Sequence, residues 1–341
     1  MDKEVAFLQS KLEKAFTYRK DLLQGSHTNA IRLFNGFLEG DPRWVIELFG
    51  KSLVISDNIS QANEDVDTAT ALAQMYIAWL PSVQSILYKC RSAQDQEAKK
   101  GLLIFGDQLT DKIQELGVHH SINLQMNQDS SFYLDTRYLR AWLMENMAGK
   151  LVLNTFAYTG SLGLAALAGG AKKVVQTDLN RKFLEVAHKS CELNNFPTNK
   201  MKLIVGDFYK VVGNFKKAQK LFECVIIDPP FFSTTTAGRV DLVHESTRLV
   251  NKIRPLVAHD GYLVVVNNAL FLSGQSFMDQ LEELCDDRYM TIEAIIPVPQ
   301  DVIGYPETIV NQPPVPTEPF NHSTKIVILK VKRKEERSAN D

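Results

Sequence analysis

The sequence predicts an α/β protein whose C-terminal half is a mostly parallel sheet covered by helices, preceded by a small α+β domain. Three observations predict it. From about residue 134 onward, apolar segments of strand length alternate with amphipathic helical segments, the pattern of a sheet buried on both faces. Residues 31–126 instead show short apolar runs broken by Gly, Pro and Asp turns around one helical stretch. Several strands of the second half end in an acid or run into a glycine turn, at the carboxyl ends where such sheets hold ligands.

With 341 residues the chain can bury two cores of ordinary size. Residues 1–29 read as an N-terminal helix, with Val5, Leu8, Leu12, Ala15, Phe16, Leu22 and Leu23 near one face until Gly25 breaks the pattern. Its scattered acids argue against a signal peptide. The small α+β domain is expected over 30–126. Its strands are IRLFN from Ile31, WVIELFG from Trp44 and KSLVIS from Lys51, then a helix runs from Asp67 to Leu80, where Pro81 stops it. Further strands are expected in SVQSILYKCR, GLLIFGD and SINLQMN, the last over 121–127.

The larger domain is expected over 127–335. A helix runs through DTRYLRAWLMEN and is closed by Gly149. Strands then follow at Leu151, Lys173, Lys202 and Glu223, with helices between them, and later strands in YLVVVNNA, MTIEAIIPV and STKIVILKVK. Residues 303–320, rich in proline, read as a long loop, and 336–341 as a charged tail.

Composition narrows the function classes. At 45% hydrophobic and 23% charged the chain is globular, and no apolar run approaches the roughly 20 residues that span a bilayer. Cys90, Cys191, Cys224 and Cys285 lie far apart without a CxxC pair, so neither a zinc site nor a disulfide framework is expected, and the compartment expected is a reducing, cytoplasmic one. A net charge of −2 speaks against a protein that coats nucleic acid but leaves room for a local basic groove. The basic runs Lys216-Lys217 and Lys330–Lys334 read as solvated faces.

The candidate site lies on consecutive strand ends. Gly160 and Gly163 follow the first strand of the larger domain, where a missing Cβ would let backbone approach a ligand at a helix N-terminus. Asp178 ends the next strand and can accept hydrogen bonds from both ribose hydroxyls of an adenosine cofactor, or else cap the following helix. Asp207 ends the third and can meet an adenine amino group while Phe208 packs on the ring; its plainer reading is again a cap. At the fourth, Asp228-Pro229-Pro230-Phe231 offers acceptors rather than donors, because proline has no N–H. That suits an amino or ring nitrogen, with Phe231 stacking on a flat substrate.

The segments LNTFAYTGSLGLAALAGGA, TDLN and DPPFFS together resemble the methyltransferases of 23S ribosomal RNA that use S-adenosylmethionine (SAM), the 5-methylcytosine and 7-methylguanine large-subunit enzymes. Upstream, Ser131–Arg137 is similar to the family's Phe-Leu-Asp-x-Arg stretch, and residues 31–50 look like its central domain. The resemblance implies a Rossmann-like class I methyltransferase fold without the N-terminal PUA domain of some members. It implies that Thr155, Phe156, Tyr158, Gly160 and Gly163 line SAM, with Asp178 on the ribose and Asp207 near adenine. Phe132, Asp135 and Arg137 would close the methionine end, Arg137 on the carboxylate. Asp228 and Pro229 would face the reacting methyl group. It further implies an RNA partner, ribosomal RNA before others, and a possible homodimer.

One difference is chemical. The family's 5-methylcytosine enzymes follow the YLVVV strand with Cys-Ser, where this chain has Asn267-Asn268. Methylation at cytosine C5 needs a thiolate that adds to C6, and no cysteine here is well placed for it. A nitrogen nucleophile needs alignment above all, which Asp228, the Pro229 carbonyl and Asn267 would supply, with Phe231 or Phe232 stacking. No metal is expected. His244, just past the Asp-Pro-Pro loop, carries only a weak flag. The alternatives are a SAM-dependent methyltransferase of a protein or small molecule, favoured by an acidic or narrow apolar mouth, and a non-catalytic RNA-binding or assembly protein that keeps the fold.

Overall fold

The computed structural model describes residues 3–25, 27–60, 65–126, 129–235, 238–243 and 246–333; His244 and the 336–341 tail lie outside them. Two compact units result: Met1–Asp135 with Pro299–Gln312, and Thr136–Val298 with Pro313–Asp341. This division differs from the expected one: the first helix belongs to the smaller unit, the boundary falls after 135 rather than 126, and a segment near 300 returns to the smaller unit.

In the first unit, helix α1 (Lys3–Arg19) precedes strands β1 (Ala30–Asn35), β2 (Trp44–Phe49) and β3 (Ser52–Asp57). Helix α2 (Val66–Trp79), β4 (Ser85–Cys90), α3 (Gln96–Lys100) and β5 (Leu102–Phe105) follow. The sheet order is β1-β2-β3-β4-β5. Only β3 and β4 pair in parallel, because α2 carries the chain back across the sheet between them. The apolar stripe of α1, Leu8, Leu12, Ala15 and Phe16, joins Leu72 and Tyr76 of α2 in the core, with Phe16 stacked 5.4 Å from Trp79. A helix whose stripe has this partner is part of the unit.

The strand expected over 121–127 does not form as drawn. The chain makes a hairpin instead, β6 (Lys112–Glu115) and β7 (Val118–Ser121), turning through Leu116 and Gly117 at φ 52° and 80°, the left-handed pair of a tight hairpin turn. Ile122 and Leu124 are buried; Ile122 N–H still donates to the Asp111 carbonyl at 2.8 Å beside the hairpin, but beyond it side chains take over. Asn123 N–H donates to Ser131 Oγ at 2.7 Å and Lys89 Nζ to the Leu124 carbonyl at 2.6 Å. Lys89 also donates to the Asp129 carbonyl at 2.9 Å, which ties this stretch to the first unit.

The second unit opens with α4 (Arg137–Asn146). Then come β8 (Leu151–Thr155), α5 (Ser161–Ala168), β9 (Lys173–Asp178), α6 (Arg181–Leu193), β10 (Met201–Val205), α7 (Phe208–Lys217) and β11 (Phe222–Ile227). A hairpin, β12 (Phe232–Thr235) and β13 (Gly238–Asp241), leads to α8 (Ser246–Ile253) and β14 (Val257–Asn267), then α9 (Gly274–Cys285) and β15 (Met290–Ile296). After α10 (Gln300–Ile303) in the first unit, β16 (Lys325–Val331) completes the sheet. Helix α4 ends at Met147, and Gly149 follows at φ 74° with its N–H on the Gly170 carbonyl rather than on the helix.

The sheet order is β10-β9-β8-β11-β14-β16-β15. Strands β10, β9, β8, β11 and β14 run parallel, while β16 is antiparallel to both its neighbours. The mostly parallel α/β sheet expected from the sequence is therefore present. It departs from the 3-2-1-4-5-6 order of dinucleotide-binding sheets by one antiparallel strand inserted next to the edge. The chain sends β9 and β10 to one side of β8 and the later strands to the other, so the topological switch point lies between the ends of β8 and β11.

Candidate active site at the carboxyl ends of the parallel strands

At the switch point Thr155 is fully buried, and its Oγ1 donates to the Ile226 carbonyl at 2.8 Å, pinning the ends of β8 and β11. The chain then turns through Phe156 (φ 53°), Tyr158 (φ 50°) and Gly160 (φ 80°). Two non-glycine residues in the left-handed region cost about 1–2 kcal/mol each and persist only where the surroundings over-determine them. Here Ala157 N–H donates to the Thr177 carbonyl at 2.9 Å, and Tyr158 N–H to Asp178 Oδ2 at 2.8 Å. Phe156 stacks on Phe208 at 4.6 Å, and Tyr158 meets Phe183 edge-on at 4.5 Å.

The two glycines have a different cause from the one expected. A Cβ on Gly163 would sit 2.4 Å from Gln176 Oε1, and one on Gly160 would sit 2.5 Å from Ala187 Cβ and 2.7 Å from Gln176 Nε2. The close approach is to the protein's own β9 and α6. Gln176 is itself buried and cannot swing away cheaply, since its Oε1 accepts from Asn154 Nδ2 at 3.0 Å. Gly163→Ala is therefore expected to lose about 1–3 kcal/mol by overpacking. Urea denaturation of Gly163→Ala, Gln176→Ala and the double variant tests this: the double variant should be less destabilised than the sum of the singles, and strict additivity would show that Gln176 is not the obstacle.

Asp178 does not cap α6. Asn180 does, accepting from Lys182 N–H at 3.0 Å. Asp178 instead takes Tyr158 N–H on one oxygen and Asn180 N–H on the other, each at 2.8 Å. Burial raises its pKa from the ordinary carboxylate value despite the backbone N–H groups of Asn180, Tyr158 and Leu179. A carboxylate has about four acceptor sites, so acceptor capacity remains for a ribose hydroxyl. Asp207, by contrast, caps α7, with Oδ1 accepting Tyr209 N–H at 2.9 Å and Lys210 N–H at 3.2 Å. Phe208 is buried and has one ring face on Phe156.

Past β11, Asp228 is half-buried and Pro229 buried, whereas Phe231 and Phe232 are 49% and 54% exposed. Large exposed rings at a strand end contribute nothing to the core. The hairpin beyond them is braced: Leu242 N–H donates to the Phe231 carbonyl at 3.2 Å, and the Tyr209 hydroxyl donates to the Arg239 carbonyl. Arg239 lies 5.1 Å over the Phe232 ring and Lys252 5.9 Å over Tyr209. The Lys252–Tyr209 pair was not legible in sequence, because 43 residues separate the two and nothing local joins them.

Asn267, expected beside the reacting atoms, has both ends of its amide engaged with backbone. It is fully buried, donates Nδ2 to the Leu242 carbonyl at 3.1 Å, and accepts Ala269 N–H on Oδ1 at 2.9 Å. The amide joins the loop after β13 to the turn after β14. Cys224 is completely buried in β11, and burial pushes its thiol well above the ordinary range. Cys191 is buried on α6, Cys285 lies at the end of α9, and Cys90 belongs to the first unit. Arg137 is half-buried at the start of α4. Phe132 and Asp135 fall in the first unit, Phe132 edge-on to His120 at 4.9 Å and Asp135 half-buried, its charge helping to raise Arg32. Among the described residues no group of three His, Cys, Asp or Glu is placed to hold a metal, and no helix is long and apolar enough to cross a membrane.

Comparison with known proteins identifies the family. The family model for S-adenosylmethionine-dependent methyltransferases matches residues 60–287. Ribosomal RNA large subunit methyltransferase I of Escherichia coli is 27% identical over 240 residues, covering 67% of this chain and 58% of that protein. The chain thus spans less than two thirds of the curated relatives it matches. Among solved structures, SMU.776 in complex with SAH has a TM-score of 0.81 at 20% identity, covering 96% of this chain and 82% of that one. The tRNA m1G37 methyltransferase of M. jannaschii has a TM-score of 0.54 at 15% identity, covering 84% and 74%. The structures establish the likeness of fold, and the family model, which matches well over half of the sequence, establishes the rest: this chain belongs to the S-adenosylmethionine-dependent methyltransferases.

Proposed function

We propose that the chain transfers the methyl group of SAM to a nitrogen of an RNA base, ribosomal RNA before other RNAs. The observation that carries this is the pairing of Asp228-Pro229, an acceptor-only turn at the switch point, with two exposed phenylalanines and the cation over Phe232 beside it. Acceptors orient an N–H nucleophile, exposed rings stack an extruded base, and the Lys252 ammonium over Tyr209 suits a phosphate-bearing substrate. The relative that acts on ribosomal RNA and the structural neighbour that acts on tRNA support the same class.

SAM supplies an electrophilic methyl group on a sulfonium. Asp178 would hold the ribose diol, and the 155–160 turn with Gly160 and Gly163 would shape the cofactor side. Asp207 and Phe208 would border adenine, and Arg137 would pair with the carboxylate. Asp228 and the Pro229 carbonyl would align the nitrogen, Asp228 accepting its proton, while Phe231 or Phe232 stacks on the base.

A carbon route is disfavoured by position. The C5 mechanism needs a thiolate at the reacting ring, and Cys224 is a neutral thiol inside the sheet. Tritiated SAM with total RNA from cells lacking the gene, followed by nucleoside analysis, tests the proposal. Label in an N-methylated nucleoside is expected, and Cys224→Ala should retain turnover within a few-fold. Labelled 5-methylcytidine, with turnover abolished in Cys224→Ala, would overturn the nitrogen assignment; label in protein would overturn RNA.

A further inference from the structure

Between β14 and α9 the chain makes a tight turn, Ala269–Leu272, closed by Leu272 N–H on the Ala269 carbonyl at 3.3 Å. Both ends are core residues: Ala269 is fully buried and Leu272 is 8% exposed. The tip points the other way, with Leu270 at 44% and Phe271 at 69% exposure. Phe271 is the most exposed large apolar side chain among the described residues. A single exposed apolar residue is ordinary, but here two adjacent ones share the tip of a turn that is anchored at both ends.

The anchoring is costly as well as firm. Ala269 is gripped from both sides, its N–H on Asn267 Oδ1 and its carbonyl on Lys325 Nζ, each at 2.9 Å. Lys325 is 1% exposed, and burial pushes its pKa down to about 8; a buried ammonium is expensive unless its donors are used. Its other bond is to the Ser323 carbonyl at 2.6 Å. The turn is also joined to the Asp-Pro-Pro loop. Strands β11 and β14 pair in parallel, with Ile227 opposite Val265. A chain of bonds then runs from the Phe231 carbonyl through Leu242 to Asn267 and Ala269. Phe271 is thus fixed at the same end of the sheet as Phe231 and Phe232.

We propose that Phe271 is a stacking platform for the unpaired base that neighbours the methylated base in a single-stranded stretch of RNA. This rests on the RNA reading above and adds a specificity-determining residue to it. A flat, exposed ring on a rigid turn fits a nucleobase, since every base offers a π-face. Arg239, ion-paired with Asp241, covers the Phe232 ring, and the Lys252 ammonium over Tyr209 supplies positive charge at the same end of the sheet. The aromatic requirement separates this role from a merely structural one.

The test uses the full chain, a fluorescein-labelled single-stranded mixed-sequence RNA of roughly 12 nucleotides, and the total-RNA methylation assay. Phe271→Ala and Phe271→Leu should each weaken binding of the single strand about tenfold, with SAM affinity and thermal midpoint unchanged, and Phe271→Trp should restore it. If the wild-type chain binds and labels RNA while Phe271→Ala behaves as wild type, or Trp fails to rescue, the platform is wrong and the RNA reading stands. If the wild type neither binds nor labels RNA, the RNA reading fails and takes the platform with it. Label passing into protein and falling in Phe271→Ala would assign the ring to a peptide and overturn the proposal.

Discussion

Replacing Asp228 by alanine is expected to lower the rate of methyl transfer by about 10²–10⁴-fold, the range of a positioned acid or base, while SAM affinity changes little. The carboxylate stands at the end of β11, half-buried, directly after the strand that Thr155 ties to β8. Two prolines follow it, so the turn offers carbonyls and the carboxylate and no N–H from either proline. A nitrogen that carries a proton needs an acceptor to orient its lone pair and to take the proton as the methyl group arrives. Asp228→Asn keeps the size and puts a donor where an acceptor is wanted, so it should resemble alanine rather than wild type. Single-turnover rates at saturating SAM, with SAM affinity by calorimetry, separate the two effects. Loss of SAM binding together with rate would move Asp228 from the nucleophile to the cofactor; an unchanged rate would remove it from the site.

What the sequence disclosed about this site follows from the range of the interactions that build it. Strand ends carry their own labels: Asp178, Asp207 and Asp228 each close an apolar run, and the alternation of strands and helices places all three on one edge of a parallel sheet. The resemblance of the DPPFF and glycine-turn segments supplied the family. Less legible was the cause of each label. Gly160 and Gly163 read as ligand clearance, yet their neighbours are Gln176 and Ala187, contacts that exist only once β9 and α6 have packed. Asn267 read as a substrate contact because it occupies the cysteine position of the resemblance. Its burial between Leu242 and Ala269 depends on a hairpin that the sequence reading did not draw. The β6–β7 hairpin did have a local signal, the Leu116-Gly117 turn between alternating strands, whereas the alternation at Ile122 and Leu124 pointed to a strand. Past Ile122, Ser131 takes the Asn123 N–H and Lys89 the Leu124 carbonyl, and no periodicity reports a side chain that replaces a ladder.

The largest effect on stability is expected within the first unit. Arg19, at the end of α1, is fully buried and uses its whole guanidinium. Nη1 donates to the Ala15 carbonyl at 3.0 Å and to Glu39 Oε1 at 2.9 Å, and Nη2 to Glu39 Oε2 at 3.1 Å and the Asp301 carbonyl at 2.9 Å. Glu39 also takes Asn35 N–H at 2.6 Å and the Thr308 hydroxyl. The pair therefore joins α1, the loop after β1 and the 299–312 segment, which is why that segment belongs to the first unit although it lies between β15 and β16 in the chain. Arg19→Met leaves Glu39 charged, buried and without its partner, and should cost about 3–5 kcal/mol. The double variant Arg19→Met/Glu39→Leu removes both desolvation penalties and should recover most of that loss, as replaced buried pairs often do. Equilibrium unfolding in urea with a double-mutant cycle gives the coupling directly. A single variant within about 1 kcal/mol of wild type would mean that the pair is solvated in the working protein, and that α1 and the 299–312 segment are held by their apolar contacts alone.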